Sequence, residues 1–367
     1  MKGGARPAPH LPMMAAVYII AGVLGAAWVL NDIFKQVLVP RAVRGANRIS
    51  VFFARFAFMV ARAMVAIAPA DWHEDMLGPI APLYFILLLG IWLVALAASY
   101  ALILYGLRDA VSPPLPDYGS ALYFSTTSLL TIGYVDFVAT SGWARAVSLF
   151  AGASGIGTVA VAITFLYAII GAFQQRERFV VVLDTRAGAP ASGVALLETY
   201  GAMRMMPELS TLFRDSELWV ADVLDSHLAY PILMAFRSSH KDESWVAALG
   251  ALLDAAALLV TVAAPDDAPI GAARLFLDVA MHLTHDLDAY FELPGKAPAP
   301  TTRAQRDIIR TRLDRAGFSI RDDDASWAQF DELRAAYVRP LDGIGRRWMH
   351  ATAQLIGERT ALPGHPM

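Results

Sequence analysis

Cysteine is absent from the whole chain. Its absence excludes disulfides, thiolate metal ligands and redox switching, and suits a soluble part facing a reducing compartment. Charge imbalance is also missing: the net charge is −3, so no nucleic-acid partner is expected. There is no Gly-rich phosphate loop and no nucleophile–base set, which leaves an enzyme as the least supported reading. No internal repeat is visible. Charged side chains are missing altogether from two long stretches, Leu83–Gly106 and Ala146–Phe173.

Those two stretches carry much of what is present. Hydrophobic residues make up 56 % of the chain, and they concentrate in its first half. Each uncharged run exceeds the roughly 20 residues a helix needs to cross a hydrocarbon layer. A third run, Met13–Leu30, is shorter but still long enough to span. Lys2 and Arg6 precede it and Gly25-Ala26-Ala27 lies near its end, so it reads either as a cleaved signal peptide or as a retained helix. It is longer than a typical signal h-region, which favours the retained helix. After Gln175 charges become frequent and no span follows. The expected layout is a transmembrane helix in residues 1–40, a basic amphipathic segment in 41–72, a pore module in 73–178 and a soluble helical domain in 179–367.

Six basic residues, Lys35, Arg41, Arg44, Arg48, Arg55 and Arg62, follow one another without an acidic residue between them. Short basic loops stay in the cytoplasm. That rule puts the N-terminus outside and the soluble half in the cytosol, beneath what is expected to be a bacterial inner membrane. Arg48, Arg55 and Arg62 recur every seven residues and stack on one helix face, with Val51, Phe52, Phe56, Met59 and Val60 elsewhere. A helix of this kind over residues 49–68 either lies in the interface against anionic lipid or spans the bilayer; the arginine stripe favours the interface.

Between the two longest runs, Pro113-Pro114-Leu115-Pro116 stops the first helix and Asp117 is placed to cap a short helix over Tyr118–Leu130. Thr131-Ile132-Gly133-Tyr134-Val135-Asp136 follows. Stripping water from a cation is very costly unless other oxygens replace it. A narrow loop can offer the carbonyls of Thr131, Ile132, Gly133 and Tyr134, with the Thr131 hydroxyl, as stacked oxygen rings. Gly133 supplies backbone freedom without a Cβ. Irregular backbone at this depth is tolerated only where it lines a wet path or is buried in protein.

The stretch Ala121–Asp136 resembles the pore helix and selectivity filter of the potassium-channel family, which ends in Thr-Val-Gly-Tyr-Gly-Asp. Trp143 and Arg145 also fall where many members carry Trp and Arg. The resemblance covers roughly residues 83–173. It implies a homotetramer, because one loop supplies a quarter of a pore, with potassium ions as the passing species and no other cofactor. It further implies that Tyr123 hydrogen-bonds Asp136 to brace the filter, and that Gly155 is a gating hinge, close packing being the rival role for that glycine. Two departures stand out: Leu130 occupies a position that is often Thr, and Val135 replaces the second filter glycine. A β-branched residue at positive φ costs on the order of 1–3 kcal/mol. Either strain is stored at Val135 or its carbonyl turns away and alters the outermost ion site.

The inner helix is expected over Trp143–Gln175, with Val159, Ile163 and Phe165 as candidates for an apolar constriction and Gln174–Arg178 marking its exit. Beyond it, Phe179–Asp184 reads as a short strand and Gly188–Gly193 as a linker. Helices are expected over Val194–Met206, Glu208–His227, Ser244–Val262, Gly271–Tyr290, Thr302–Ala316, Ala325–Tyr337 and Leu341–Arg359, with breaks at Pro207, Pro231, Pro265, Pro269 and 294–300. Asp278, His282 and either His285 or Asp286 share a helix face, a spacing open to a metal but more simply a polar surface. The cytosolic ligand is unknown from sequence. The fold class is thus an all-α membrane protein with a tetrameric re-entrant-loop pore and a helical cytosolic domain. The functional readings are a potassium-type channel gated at its inner helix, a weakly selective cation channel, and a membrane-anchored scaffold that no longer conducts.

Overall fold

The computed structural model describes residues 10–37, 49–67, 69, 72, 76–238, 243–264 and 269–357. Lys2, Arg6, Arg41, Arg44, Arg48 and the break at Pro265 lie outside them. The chain forms two compact units, one of Met1–His73 with Pro79–Ala168, the other of Glu74–Gly78 with Ile169–Met367.

The first unit contains α1 (His10–Val37), α2 (Ile49–Ile67), α3 (Ile80–Gly106), β1 (Val111–Ser112), α4 (Tyr118–Leu129), β2 (Val138–Ala139) and the start of α5 (Gly142–Ala187). Among the described residues, three helices are long and apolar enough to cross a membrane: α1 from Met13, α3 and α5. Helix α1 lies close along α3. A Cβ on Gly22 would fall 2.5 Å from the Ser99 carbonyl oxygen, and one on Gly106 would fall 2.7 Å from the Ile19 side chain. Small residues give the close approach that helix association in lipid depends on. The lower part of this unit is tied by Asp32. Its buried carboxylate accepts from Ser50 N (3.1 Å), Ser50 Oγ (3.0 Å) and Trp92 Nε1 (2.9 Å). It therefore caps the first turn of α2, where the amide groups have no intrahelical partner.

The second unit is built from the end of α5, α6 (Gly193–Ala202), α7 (Leu209–Ala229), α8 (Trp245–Thr261), α9 (Ile270–Phe291), α10 (Arg303–Arg315) and α11 (Asp324–Trp348). Helix α8 is its axle, buried along nearly its whole length and packed by α6, α9 and α11. It carries a buried charge: Asp254 pairs with Arg334 Nε (3.0 Å) and accepts from Tyr337 Oη (2.6 Å). Burial pushes the Asp254 carboxyl above its ordinary value, against the pull of Arg334 and Tyr337.

Three sequence expectations are corrected here. Phe179–Asp184 is not a strand but part of α5, which runs on to Ala187. The valines are β-formers, yet helical spacing buries Val180, Leu183 and Ala187 together, and packing overrides local propensity. Ala325–Tyr337 and the start of the next expected helix are one helix, α11, which continues through Pro340 to Trp348. No helix follows over 349–357.

Candidate functional site

The prolines do not stop the outer helix, which already ends at Gly106; a 3₁₀ turn at Arg108–Ala110 and β1 lie between it and Pro113. Asp117 takes an extended conformation and its Oδ1 accepts from Ser120 N at 2.8 Å, starting α4. Two hydroxyls bind α4 to α3: Ser125 Oγ donates to the Ala97 carbonyl (2.8 Å) and Tyr118 Oη to that of Ala98 (3.1 Å). Ala101, Leu104, Val111, Leu115, Ala121, Phe124, Ala139 and Ala144 close a small apolar core around this junction. The pore helix is thus fixed to its neighbours at its first turns and along its flank.

Its last turn unwinds into the filter. Thr131 N donates to the Ser128 carbonyl (3.2 Å) and Ile132 N to that of Thr127 (2.9 Å). Beyond that, no backbone hydrogen bond among the described residues engages the carbonyls of Thr131, Ile132, Gly133 or Tyr134. Positive φ occurs at Thr131 (53°) and Gly133 (77°) and not at Val135. Strain at Val135, one of the two expectations for that residue, is therefore absent, and the β-branched residue in the left-handed region is Thr131. All six residues Thr131–Asp136 are exposed on the single chain.

The far end of the filter is braced. Tyr123 Oη donates to Asp136 Oδ2 at 2.7 Å, the bond the resemblance implied. The Tyr123 ring lies parallel to Tyr134 with centroids 6.4 Å apart, and Phe137 wedges edge-on between Tyr123 and Phe124. After it, β2 pairs with β1 and Thr140 N and Oγ1 both donate to the Ala110 carbonyl (2.9 and 2.8 Å). Arg145 Nε donates to the Ala139 carbonyl (3.2 Å), while Trp143 stands exposed. Both ends of an otherwise bare loop are thereby pinned.

Gly155 lies where α5 meets the end of the pore helix. A Cβ there would fall 1.9 Å from the Leu129 carbonyl oxygen, and one on Gly152 would fall 3.3 Å from that of Ser128. Close packing is what this geometry displays for Gly155; α5 is a single continuous helix through it. Of the constriction candidates, Phe165 is buried against Phe85, with ring centroids 5.5 Å apart, so it faces the outer helix. Ile163 is exposed, and it falls in a row with Ile156 and Ile170 at seven-residue spacing, with Leu149 before them and Tyr167 beside them. The spacing was in the sequence, but which face the chain's own helices leave open was not.

Asp278, His282 and His285 do not converge. His282 Nε2 is 3.6 Å from Asp286 Oδ2 and His285 Nδ1 is 3.8 Å from Asp286 Oδ1, both imidazoles being largely exposed, while Asp288 pairs with Arg339. No group of three or more such side chains able to hold a metal occurs among the described residues. Sequence reasoning missed the buried charges Asp32, Arg176, Glu177 and Asp254. Asp32 could have been found as the one acidic residue in the first apolar segment; nothing local marks Arg176.

The comparisons with known proteins bear on the same segment. Residues 84–171 match the family model described as "Ion channel". The chain is also similar to the uncharacterized membrane protein YdjJ of Bacillus subtilis, 22 % identical over 198 residues, which is 53 % of this chain and 57 % of that protein. It thus spans little more than half the length of that relative. No solved structure matches. The chain is a membrane protein, and its segment from the outer helix to the inner helix, residues 84–171, matches an ion-channel family model.

Proposed function

We propose that the chain is one subunit of a homotetrameric, potassium-type cation channel with Thr131–Asp136 as its selectivity filter. The observation that carries this reading is the bare loop: six consecutive exposed residues, pinned at both ends, whose carbonyls at Thr131, Ile132, Gly133 and Tyr134 accept no backbone hydrogen bond among the described residues. At membrane depth such backbone has to line a wet path or be covered by protein. Four copies around an axis satisfy both needs, the carbonyls facing ions and the outer side facing neighbouring subunits. The exposed row Leu149, Ile156, Ile163 and Ile170 supports the same assembly, offering an apolar helix face for a copy or for the gate. Conduction is passive and needs no bound cofactor beyond the passing potassium ions.

Helix α1 is retained as packing support for α3. Helix α2, with Phe52, Phe56 and Met59 exposed beside Arg55 and Arg62, lies in the membrane interface against anionic lipid. The helical second unit is cytosolic, under a bacterial inner membrane, and regulates the pore. The test is potassium-driven flux into liposomes holding the purified tetramer. An intact tetramer that passes no ion under any condition would remove this reading.

The φ values favour weaker selectivity as a second reading. Val135 avoids the left-handed region, so its carbonyl is not held where a glycine of positive φ would hold it, and the outermost ion site is altered. Reversal potentials in mixed sodium and potassium separate the two readings. Val135→Gly is expected to raise the potassium preference by roughly tenfold, the equivalent of one lost carbonyl contact of about 1.4 kcal/mol.

A further inference from the structure

Helix α5 runs unbroken from Gly142 to Ala187, so the residues that pack on the pore helix and those held by the second unit share one rod. Within the second unit that rod is gripped at Arg176, which is only 2 % exposed. Its Nη1 donates to the Leu233 carbonyl (3.1 Å), Nη2 to that of Phe236 (2.9 Å) and Nε to Glu177 Oε1 (2.9 Å). The guanidinium lies over the rings of Phe173 (5.3 Å) and Trp245 (5.7 Å). Trp219 Nε1 donates to the Arg176 carbonyl (3.2 Å). A buried charge persists only when paired this fully.

The fifth partner is the unusual one. Arg176 Nη1 lies 3.2 Å from His227 Nε2, and a guanidinium has only protons to offer. His227 must therefore present a bare nitrogen there and keep its proton on Nδ1, 2.8 Å from the Val223 carbonyl. On the other side of Trp245, His350 Nε2 lies 2.7 Å from the Met234 carbonyl. Burial, then the nearby Arg176, hold His227 well below its ordinary 6.5. Burial and the charges of Arg237 and Arg176 hold His350 at about 3, against a backbone bond to Met234. Glu177 on the same helix and Arg237 on the segment after Met234 are the other charged groups facing this pair. Glu177 already serves Arg176, and Arg237 Nη1 is engaged with the Met349 carbonyl (2.8 Å).

We propose that this socket is an acid-released joint through which the helical unit holds the pore's inner helix, and that protons taken up by His227 and His350 open it. The pore-control half of this inference rests on the conduction reading above; the acid-released socket does not. The sign follows from linkage. The closed socket keeps both imidazoles neutral, whereas an opened one lets them take protons near 6.5. The closed form is therefore favoured at neutral pH and loses ground as pH falls below that value. If both histidines are protonated on opening, the opening equilibrium shifts by about 100-fold between pH 7.5 and 5.5.

Two readouts on the full-length protein in liposomes test this together. Amide exchange across 231–236, corrected for its intrinsic pH dependence, is expected to rise at least about tenfold from pH 7.5 to 5.5. In the His227→Gln, His350→Gln double variant, which keeps neutral partners, the rise should vanish. Potassium flux should change over the same pH range in the wild type and flatten in that variant. Exchange independent of pH in the wild type, which needs no variant to fold, would overturn the joint. Acid-dependent exchange with a conducting pore whose flux ignores pH would overturn its control of the pore. Acid-dependent exchange with no flux at any pH would sink the conduction reading and leave the socket supported.

Discussion

Helices α3 and α8 are both apolar, yet they have opposite fates. Helix α8 has 17 residues, about 25 Å at 1.5 Å per residue, too short for a ~30 Å hydrocarbon layer. It disappears into protein on every side. Helix α3 has 27 residues and leaves Leu83, Ile86, Leu87 and Val94 uncovered. The difference shows that composition alone does not place a helix in a membrane. Length and the availability of covering partners decide it. In the second unit the neighbouring helices cover the central apolar helix; in the first the apolar flank of α3 stays open, as lipid-facing helices do.

The two units also treat polar groups differently. The second unit neutralises its buried carboxylate with two partners, Arg334 and Tyr337. The first leaves the carbonyls of Thr131, Ile132, Gly133 and Tyr134 without a backbone hydrogen bond among the described residues. Those loop carbonyls are exposed on the single chain, whereas the second unit buries Glu177 Oε2 and the indole nitrogens of Trp245 and Trp327 without a hydrogen-bond partner, so each unit carries its unpaired polar groups in a different place.

If that contrast holds, lesions should stay in their own unit. The largest expected effect is Gly155→Val. Its Cβ would meet the Leu129 carbonyl at 1.9 Å, a backbone clash that cannot relax by rotamer change and costs about 3 kcal/mol or more. Flux should be lost and the tetramer should weaken on a sizing column, while thermal unfolding of the second unit stays put. Asp254→Ala is the converse. Removing one partner of a buried pair costs about 3–5 kcal/mol, so the second unit should melt early while the filter unit keeps its helical signal. Loss of both signals in either variant would show that the units do not fold separately.

Smaller changes sharpen the comparison. Tyr123→Phe keeps the ring against Tyr134 but deletes the 2.7 Å bond to Asp136. The filter should remain built but less firmly held, so flux should decay several-fold faster after activation, roughly the effect of one hydrogen bond to a charged acceptor. The smallest effect is expected from a matched pair of helix caps. Asp117 and Asp323 each accept from a backbone amide three residues on, both at 2.8 Å. Asp323→Ala should lower the melting temperature of the second unit by about 2–4 °C, since water can replace the lost acceptor. Asp117→Ala should cost the pore unit more if the pore-helix terminus is less well hydrated. Equal shifts would show that both caps sit in water.

Much of the site was legible before any coordinates. The cap at Asp117, the positive φ at Gly133, the brace from Tyr123 and the bounds of most helices of the second unit all follow from short-range patterns: a capping side chain, a glycine in a turn, a residue resemblance, an apolar period. Errors arose where distant residues intervene. The valine run at 180–182 has strand chemistry, yet it lies inside the long helix, which buries Val180 with Leu183 and Ala187 and leaves Val181 and Val182 exposed. Phe165 has the character of a gate residue, but Phe85 covers it. Gln174–Arg178 looks like a solvated exit, yet Arg176 meets acceptors more than 50 residues away.

The sequence by itself determined which segments are apolar enough to span, where helices begin, and that the loop after the short helix turns at a glycine of positive φ. These depend on interactions between residues a few positions apart, and the linear order contains them. Tertiary structure alone decided that Gly155 abuts the pore helix, that Asp32 ties three helices, and that Arg176 is enclosed beside a neutral histidine. Burial and pairing are properties of which surfaces meet, and residues far apart in the chain make them meet.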